Sequence, residues 1–284
     1  MESNAIEIRG LTKRYKDFAL EDLNLDLPYG CVLGLVGENG AGKSTTIRLI
    51  MDALERDGGT VSVLGADNRS PDFLRRKEDV GVVLDETFVP EILTARQLGR
   101  IMAGTFRSWD QAAYEKWIAR LELPEGKKFK EYSRGMTMKL GIAAALSHRA
   151  RLLLLDEATG GLDPMVREEL LEVFADFAAE DGHAVLLSSH IVSDLERICD
   201  YIAFLHRGRL VLCEEKDVLL DTYGILKCTR EQLANIPEEA IHGKRVGAYG
   251  VEALVERELI PRGLTVDRAN LEDIILYLVK EEKQ

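Results

Sequence analysis

A chain of 284 residues that is 46% hydrophobic and 30% charged is too apolar to be disordered. It is long enough to form one large domain with a small appendage. Its formal net charge of -12 argues against a broad nucleic-acid-binding surface, which would need an excess of Lys and Arg. No apolar run approaches the ~20 residues that cross a bilayer, so work at a membrane would require a separate membrane-spanning chain. The four cysteines form no C-x-x-C pair, which fits a reducing cytoplasm.

The first fifty residues predict a half-exposed sheet that leads into a buried strand. Residues 5–9 and 23–27 alternate apolar and polar side chains, which is typical of antiparallel strands with one exposed face. Residues 31–36 are almost entirely apolar, which indicates a strand that is buried on both faces. Apolar side chains at helical spacing in residues 44–54 then predict a helix.

The rest of the chain predicts an α/β core followed by a small tail. Residues 86–148 have mostly helical periodicity, and a helix is predicted over Pro164–Ala179. Further buried strands are predicted at residues 80–84, 152–155, 184–189 and 201–205. Because buried strands alternate with helices, the sheet should be mostly parallel. Residues 213–284 predict a small α+β appendage that ends in a helix over residues 271–280.

A glycine-rich loop lies between the first buried strand and the helix that follows it. Residues 37–44 are Gly-Glu-Asn-Gly-Ala-Gly-Lys-Ser, which is the G-x-x-x-x-G-K-S pattern of a phosphate-binding loop. Its glycines allow backbone N–H groups to surround phosphate oxygens, and the helix N-terminus adds a partial positive charge. In this pattern Lys43 reaches the β- and γ-phosphates, and the Ser44 hydroxyl binds Mg²⁺. The alternative is an ordinary glycine-rich turn, which the spacing and the flanking elements disfavour.

Two acidic residues, Asp156 and Glu157, end the buried strand at residues 152–155. The carboxyl ends of parallel strands form the edge at which ligands bind in α/β sheets. Asp156 would hold Mg²⁺ through water, and Glu157 could orient and deprotonate an attacking water. Because acids often end strands, this interpretation depends on the glycine loop upstream. Together the two elements predict phosphate chemistry without indicating a particular family.

The segment Tyr-Ser-Arg-Gly-Met at residues 132–136, together with His190, makes the pattern specific. With the loop and the two acids, it resembles the nucleotide-binding subunit of an ATP-binding-cassette (ABC) transporter over about residues 4–220. The resemblance implies a P-loop α/β core with an N-terminal antiparallel β subdomain and a helical signature subdomain at about residues 86–148. It implies an ATPase domain at residues 1–212 and a small accessory region at residues 213–284.

The resemblance also implies a role for each matching residue. Tyr15 would stack on adenine, and His190 would touch the γ-phosphate. Ser133 and Gly135 would contact the γ-phosphate of ATP held by a partner subunit. The implied catalytic residues are Glu157, His190 and Lys43. The implied metal-binding residues are Ser44, Asp85 and Asp156. The implied nucleotide-binding residues are Tyr15, Gly37, Glu38, Asn39, Gly40, Ala41, Gly42, Lys43, Ser44, Thr45, Ser133 and Gly135. The alternatives are a surface tyrosine at Tyr15, an ordinary helix cap at Ser133 and a structural histidine at His190.

The chain departs from the family pattern at two positions. Asp85, followed by Glu86, stands where the family usually has Gln, and Arg134 stands where the family commonly has Gly. Asp85 still offers a hard oxygen to a metal, although with a charge and a shorter reach. Arg134 can bring a cation toward phosphate. We therefore expect the metal site to be retained.

The resemblance predicts an ATP-hydrolysing subunit of a bacterial exporter, with ATP and Mg²⁺ as cofactors. Two such subunits, identical or paralogous, would close around two ATP molecules and power a separate integral membrane permease. The protein would lie in the cytoplasm on the inner face of the membrane, and no nucleic-acid partner is expected.

Two other functions compete with this prediction. The first is a soluble ABC ATPase that acts on ribosomes or DNA. Ribosomal members usually carry two cassettes in one chain, and DNA-repair members carry a long coiled-coil insertion, whereas this chain has one cassette and no such insertion. The second is a nucleotide sensor that binds without hydrolysis, against which the presence of Glu157 and His190 argues.

Overall fold

A computed structural model of the chain describes residues 4–85, 89–247 and 250–281. The chain divides into two compact units, Met1–Cys213 and Glu214–Gln284. The elements of the first part, in chain order, are β1 (Asn4–Arg14), β2 (Ala19–Pro28), β3 (Val32–Val36), α1 (Lys43–Ile50), β4 (Gly58–Val63), β5 (Ala66–Asp67), α2 (Pro71–Arg76), β6 (Val80–Val83), α3 (Ala95–Thr105), α4 (Gln111–Arg120), α5 (Arg134–Ala145), β7 (Leu152–Asp156), α6 (Pro164–Ala179), β8 (Ala184–Ser189), α7 (Val192–Ile198), β9 (Tyr201–His206) and β10 (Arg209–Glu215).

A six-stranded sheet forms the centre of the first unit, with the strand order β10-β9-β3-β8-β7-β6. The pairs β9–β3, β3–β8, β8–β7 and β7–β6 are all parallel, which confirms the predicted α/β core. Every residue of β3, β7 and β8 is buried, because helices cover both faces of a parallel sheet. In this register Val36 lies beside Ser189, and Asp156 lies beside Ser188. The glycine loop and the two acids therefore leave the sheet at the same edge.

A second sheet, with the order β2-β1-β4-β5, confirms the predicted antiparallel subdomain. Its first two strands are longer than predicted, because register shifts let the pairing of β1 with β2 continue past residue 9. Gly10 adopts a φ of 61° there, and its N–H donates to Asn24 Oδ1 at 2.9 Å. One hydrophobic core joins this sheet to α1 and to the central sheet, so the loop before α1 is anchored from both sides.

The helical section contains α3, α4 and α5, which confirms the helical prediction for residues 89–148. Each helix begins at a polar cap, with Thr94, Asp110 and Ser133 accepting a backbone N–H from the first turn. Residues 86–88 belong to the predicted section but lie outside the described residues, and Glu86 is one of them. Among the residues that the structure describes, no helix is long and apolar enough to cross a membrane.

The helix predicted at residues 44–54 is shorter than expected, since α1 ends at Ile50. Asp52 adopts a φ of 51°, a left-handed conformation that aspartate tolerates better than most residues and that cannot continue a right-handed helix. The apolar side chain of Leu54 still packs against the core from outside the helix. Hydrophobic spacing therefore identified the buried face correctly and misplaced the helix end.

The second unit is a small α+β structure, as predicted. Its elements are α8 (Lys216–Thr222), β11 (Tyr223–Cys228), α9 (Arg230–Leu233), β12 (Ile241–Val246), β13 (Val251–Glu256), β14 (Val266–Arg268) and α10 (Leu271–Glu281). The four strands form an antiparallel sheet with the order β12-β13-β11-β14. The last helix buries Leu271, Ile274 and Tyr277.

Candidate functional site

The glycine loop connects β3 to α1 and has a backbone that only glycine adopts easily. Gly40 and Gly42 have φ values of 83° and 115°, and Gly42 is the N-cap of α1. A Cβ on Gly37 would lie 2.4 Å from the carbonyl oxygen of Leu205, so no larger residue fits there. The first turn of α1 contains no acidic residue, which leaves its positive end available to an anion. The loop therefore has the backbone conformation and the positive helix end that a phosphate-binding site requires.

Lys43 directs its ammonium group back into the loop. Its Nζ donates to the carbonyl oxygens of Gly37 at 2.7 Å and Glu38 at 3.4 Å. The same nitrogen lies 3.2 Å from Glu157 Oε1, and the Lys43 residue is only 5% exposed. The structure thus brings together a buried cation from the loop and the acid that follows β7.

Asp156 and Glu157 are held by contacts with the neighbouring strand β8. Ser188 Oγ donates to Asp156 Oδ1 at 2.6 Å, and the Glu157 N–H donates to the Ser188 carbonyl at 3.1 Å. Sequence reasoning missed Ser188, although two serines at the end of an otherwise apolar strand were a signal that polar partners lie there. Asp156 is therefore fixed beside the loop by a residue that the motif does not include.

Glu157 has an unusual backbone conformation, with a φ of 51°. A left-handed glutamate at a strand end is strained and turns the side chain away from the path of the strand. Its Oε2 lies 2.5 Å from His190 Nδ1 and accepts the His190 backbone N–H at 3.3 Å. Glu157 thus contacts both Lys43 and His190.

Ser133 and Gly135 lie at the other end of the site region, at the start of α5. Ser133 Oγ accepts the Met136 N–H at 3.2 Å, so its hydroxyl caps the helix. A Cβ on Gly135 would lie 3.1 Å from the Gly161 carbonyl and 3.7 Å from Leu162. These neighbours belong to the segment that follows Glu157, and none belongs to the glycine loop. No atom of the glycine loop lies closer than 4.0 Å to that Cβ position on Gly135, which together with Ser133 we call the signature residues.

Tyr15 and Asp85 complete the set of predicted site residues. Tyr15 is 45% exposed in the turn between β1 and β2, where its N–H donates to the Phe18 carbonyl at 2.7 Å. The Phe18 ring reaches within 3.1 Å of a Cβ placed on Gly42, so this turn lies against the glycine loop. Asp85 follows β6, and its Oδ1 is ion-paired with Arg134 Nη2. Tyr15 is therefore partly exposed near the loop, with Lys13 Nζ 5.7 Å from the centre of its ring, whereas Asp85 already has a partner.

An apolar cavity of about 570 Å³ lies between β6 and the helices of the helical section. Its lining includes Val82, Leu98, Met102 and Leu140. Two large apolar side chains, Leu74 of α2 and Ile101 of α3, are 71% and 49% exposed, and Leu74 also lines the cavity. Large exposed apolar side chains beside an apolar cavity are typical of a protein-binding region.

The fold and the loop define a P-loop nucleotide-binding protein with an acid and a histidine beside the phosphate loop. Comparison with known proteins identifies the group within that class. The model of the ABC transporter family matches residues 20–160. The bacitracin transport ATP-binding protein of Enterococcus faecalis is 34% identical over 211 residues, which cover 72% of this chain and 68% of that protein.

Two further comparisons extend this result. An uncharacterised ABC transporter ATP-binding protein of Bacillus subtilis is 31% identical over 286 residues, covering 97% of this chain and 91% of that protein. A solved ATP-binding subunit of an ABC transporter has a TM-score of 0.67 and 30% identity, covering 76% of this chain and 91% of that one. The chain belongs to the ABC transporter family, and it is an ATP-binding, ATP-hydrolysing protein of that family. These matches favour a transport role over the ribosome- or DNA-associated alternative.

Proposed function

We propose that this chain is the ATPase subunit of an exporter, and that two copies, or one copy and a paralogue, close head to tail around two ATP molecules. The observation that carries the proposal is that the nearest neighbours of Gly135 are Gly161 and Leu162, and not the glycine loop of the same chain. A helix start that is capped by a serine and has no acidic residue in its first turn is suited to binding phosphate. Because the glycine loop of the same chain does not contact Gly135, we infer that a second subunit supplies the phosphate.

Each residue of the site then has a chemical role. Residues 37–45 surround the phosphates, Lys43 neutralises their charge, and Tyr15 stacks on the adenine ring. Glu157 is the general base, since its carboxylate is near the loop and its partner His190 lies 2.5 Å away. When ATP is bound, its γ-phosphate would take the place of Lys43 beside Glu157, and His190 would contact that phosphate. These assignments describe how one phosphate loop and one acid could hydrolyse ATP.

The residues present fit a magnesium ion bound with the nucleotide. The Ser44 hydroxyl and the Asp156 carboxylate are hard oxygen donors of the kind that Mg²⁺ prefers, and Ser188 holds Asp156 in position. When bound, the metal supplies positive charge that neutralises the phosphates. The resemblance adds Asp85 to this set, but its carboxylate could reach a metal only after its pair with Arg134 had broken.

We propose that the apolar cavity beside β6 receives an apolar segment of a separate membrane permease. Exposed Leu74 and Ile101 increase the apolar area that such a segment would cover. The bacitracin transport relative supports an export function for the complex. In this arrangement the protein lies in the cytoplasm at the inner face of the membrane, where closure of two ATPase subunits moves the permease.

Replacement of Glu157 by Gln tests the proposal directly. The variant should lose at least about 100-fold in turnover, because the general base is removed. It should also form a stable dimer in MgATP that is detectable by sedimentation. Lys43→Ala is the matched control, since it should lose ATP binding and therefore the dimer. If Glu157→Gln turns over ATP normally, or if Lys43→Ala binds ATP normally, the assignment is wrong.

A mixing experiment tests the head-to-tail arrangement. Lys43→Ala and Gly135→Asp should each be inactive, because one lacks the loop cation and the other blocks the signature. A mixed dimer contains one site with an intact loop from one subunit and an intact signature from the other. An equal mixture should therefore recover about a quarter of the wild-type activity if subunits exchange freely. No recovery despite subunit exchange would exclude sites shared between subunits.

A further inference from the structure

The two positions at which the chain departs from the family pattern contact each other, since Asp85 Oδ1 is paired with Arg134 Nη2. We propose that the ion pair with Asp85 keeps Arg134 from binding ATP in the free subunit. In the free subunit the guanidinium is held by Asp85, and on dimer closure it exchanges to a phosphate of the ATP bound by the second subunit. The inference rests on the proposed function, because it requires two subunits that share their sites.

The position of Arg134 in its helix is the first reason to expect an anionic partner. Arg134 is the first residue of α5, directly after the Ser133 cap, and the first turn contains no acidic residue. A cation at the positive end of a helix is unfavourable unless an anion compensates it. Asp85 supplies that anion from another element. When Asp85 is displaced, another anion must take its place.

The packing of α5 on β6 explains why Asp85 is the partner. Close approach occurs at two glycines, since a Cβ on Gly81 would lie 3.0 Å from the Ala145 carbonyl and a Cβ on Gly141 would lie 3.4 Å from Val83. The helix and the strand therefore run in opposite directions, with the C-terminal end of β6 beside the N-terminal end of α5. The fold itself thus carries Asp85 to Arg134 across 49 residues of sequence.

The pair is arranged so that it can be exchanged. The side chains of Asp85 and Arg134 are 38% and 65% exposed. An exposed ion pair of this kind is weak and is screened by salt. An arginine that meets phosphate can form two parallel charge-assisted hydrogen bonds, which are stronger. A triphosphate presented to the start of α5 should therefore displace the carboxylate of Asp85.

The geometry connects this exchange to the rest of the site. The Arg134 side chain passes close to Gly161, where a Cβ would lie 3.9 Å from Arg134 Cδ. Gly161 belongs to the segment that follows Glu157, so Arg134 lies between that segment and Asp85. Under this inference Asp85 is a counter-ion that restrains Arg134, and not the metal ligand that the resemblance implies.

A set of variants in the Glu157→Gln background tests the exchange, with the dissociation constant of the MgATP-bound dimer measured by sedimentation. Asp85→Asn frees Arg134 and should tighten the dimer about two- to fivefold. Arg134→Gln removes the phosphate contact and should weaken the dimer about tenfold or more. The double variant should match Arg134→Gln alone, because without the arginine the Asp85 charge has nothing to restrain.

Two controls accompany these variants. Arg134→Lys keeps the charge without the planar fork and should give an intermediate dissociation constant. Asp72→Asn breaks the exposed pair with Arg75 in α2 and should leave the dimer unchanged. The tightening by Asp85→Asn should also shrink at high salt, because salt already weakens the pair that the substitution removes.

The outcomes separate this inference from the proposed function. If the Glu157→Gln parent forms no ATP-dependent dimer, the proposed function is wrong and the inference fails with it. If the parent dimerises but Asp85→Asn weakens the dimer, Asp85 contributes to closure, and the inference alone is wrong. The same conclusion follows if Asp85→Asn has an equal effect with and without Arg134.

Discussion

Removing the ammonium group of Lys43 should destabilise the nucleotide-free protein through Glu157. The side chains of Lys43 and Glu157 are 6% and 13% exposed, so this ion pair is largely buried. Lys43→Met keeps the apolar stem and removes the charge, which leaves a carboxylate near the interior without its cation. Loss of one partner from a buried pair costs about 3–5 kcal/mol. Because His190 still contacts Oε2, we expect about 2–3 kcal/mol here.

A double variant shows whether the stranded carboxylate is the cause. Lys43→Met with Glu157→Gln removes both charges and keeps both shapes, so it should be about 1–2 kcal/mol more stable than Lys43→Met alone. Urea unfolding without nucleotide or metal measures this difference. Tryptophan fluorescence follows the first unit alone, since Trp109 and Trp117 are the two tryptophans of the chain and both lie in that unit.

Two results would refute this reasoning. If Lys43→Met changes the free energy of unfolding by less than about 0.5 kcal/mol, the buried pair contributes nothing measurable. If the double variant is no more stable than Lys43→Met, the cost comes from lost hydrogen bonds to the loop carbonyls and not from an unpaired Glu157. In the second case the hydrogen bonds from Lys43 to the loop carbonyls, rather than its pair with Glu157, would account for the change in the free energy of unfolding.

Three further predictions concern other parts of the first unit. Gly37→Ala should abolish ATP binding measured by calorimetry, because its Cβ would lie 2.4 Å from the Leu205 carbonyl and displace the loop. Tyr15→Ala should weaken ATP binding by about 1–3 kcal/mol with little change in stability, whereas Tyr15→Phe should bind normally, since only the ring stacks on the base. Burial lowers the pKa of the His148 imidazole below its ordinary value of 6.5. The imidazole therefore binds its proton more readily in the unfolded chain, so the free energy of unfolding should fall as the pH decreases below 6.5, by up to about 1.4 kcal/mol per pH unit. In urea titrations His148→Gln should flatten that slope.

The sequence predicted the elements that a local pattern specifies. Apolar runs marked β7 and β8, and their parallel pairing placed Asp156, Glu157 and His190 at one edge without any further information. The glycine loop was predictable for the same reason, because its spacing requires a strand before it and a helix after it. What these features share is that each depends on a few neighbouring residues.

Features that depend on distant residues were not predictable from the sequence. The pairing of Asp85 with Arg134 joins residues 49 positions apart and follows from the packing of α5 on β6. The length of β1 depends on a register shift against β2, and no periodicity in the sequence marks it. The left-handed backbone of Glu157 is specified by contacts with β8 rather than by the identity of the residue. Each of these outcomes is a tertiary effect that overrides local preference.

Glu157 connects the phosphate loop to the segment that supports Ser133 and Gly135. Its carboxylate occupies the neighbourhood of Lys43, so a γ-phosphate that approaches this ammonium must displace an anion. Glu157 begins a short segment in which the Gly160 N–H donates to the Glu157 carbonyl. The next residue of that segment, Gly161, lies against Gly135. We therefore expect nucleotide in the chain's own loop to act on the same short segment that supports the signature residues. A subunit that has bound ATP would present a different α5 start to its partner than a subunit without ATP.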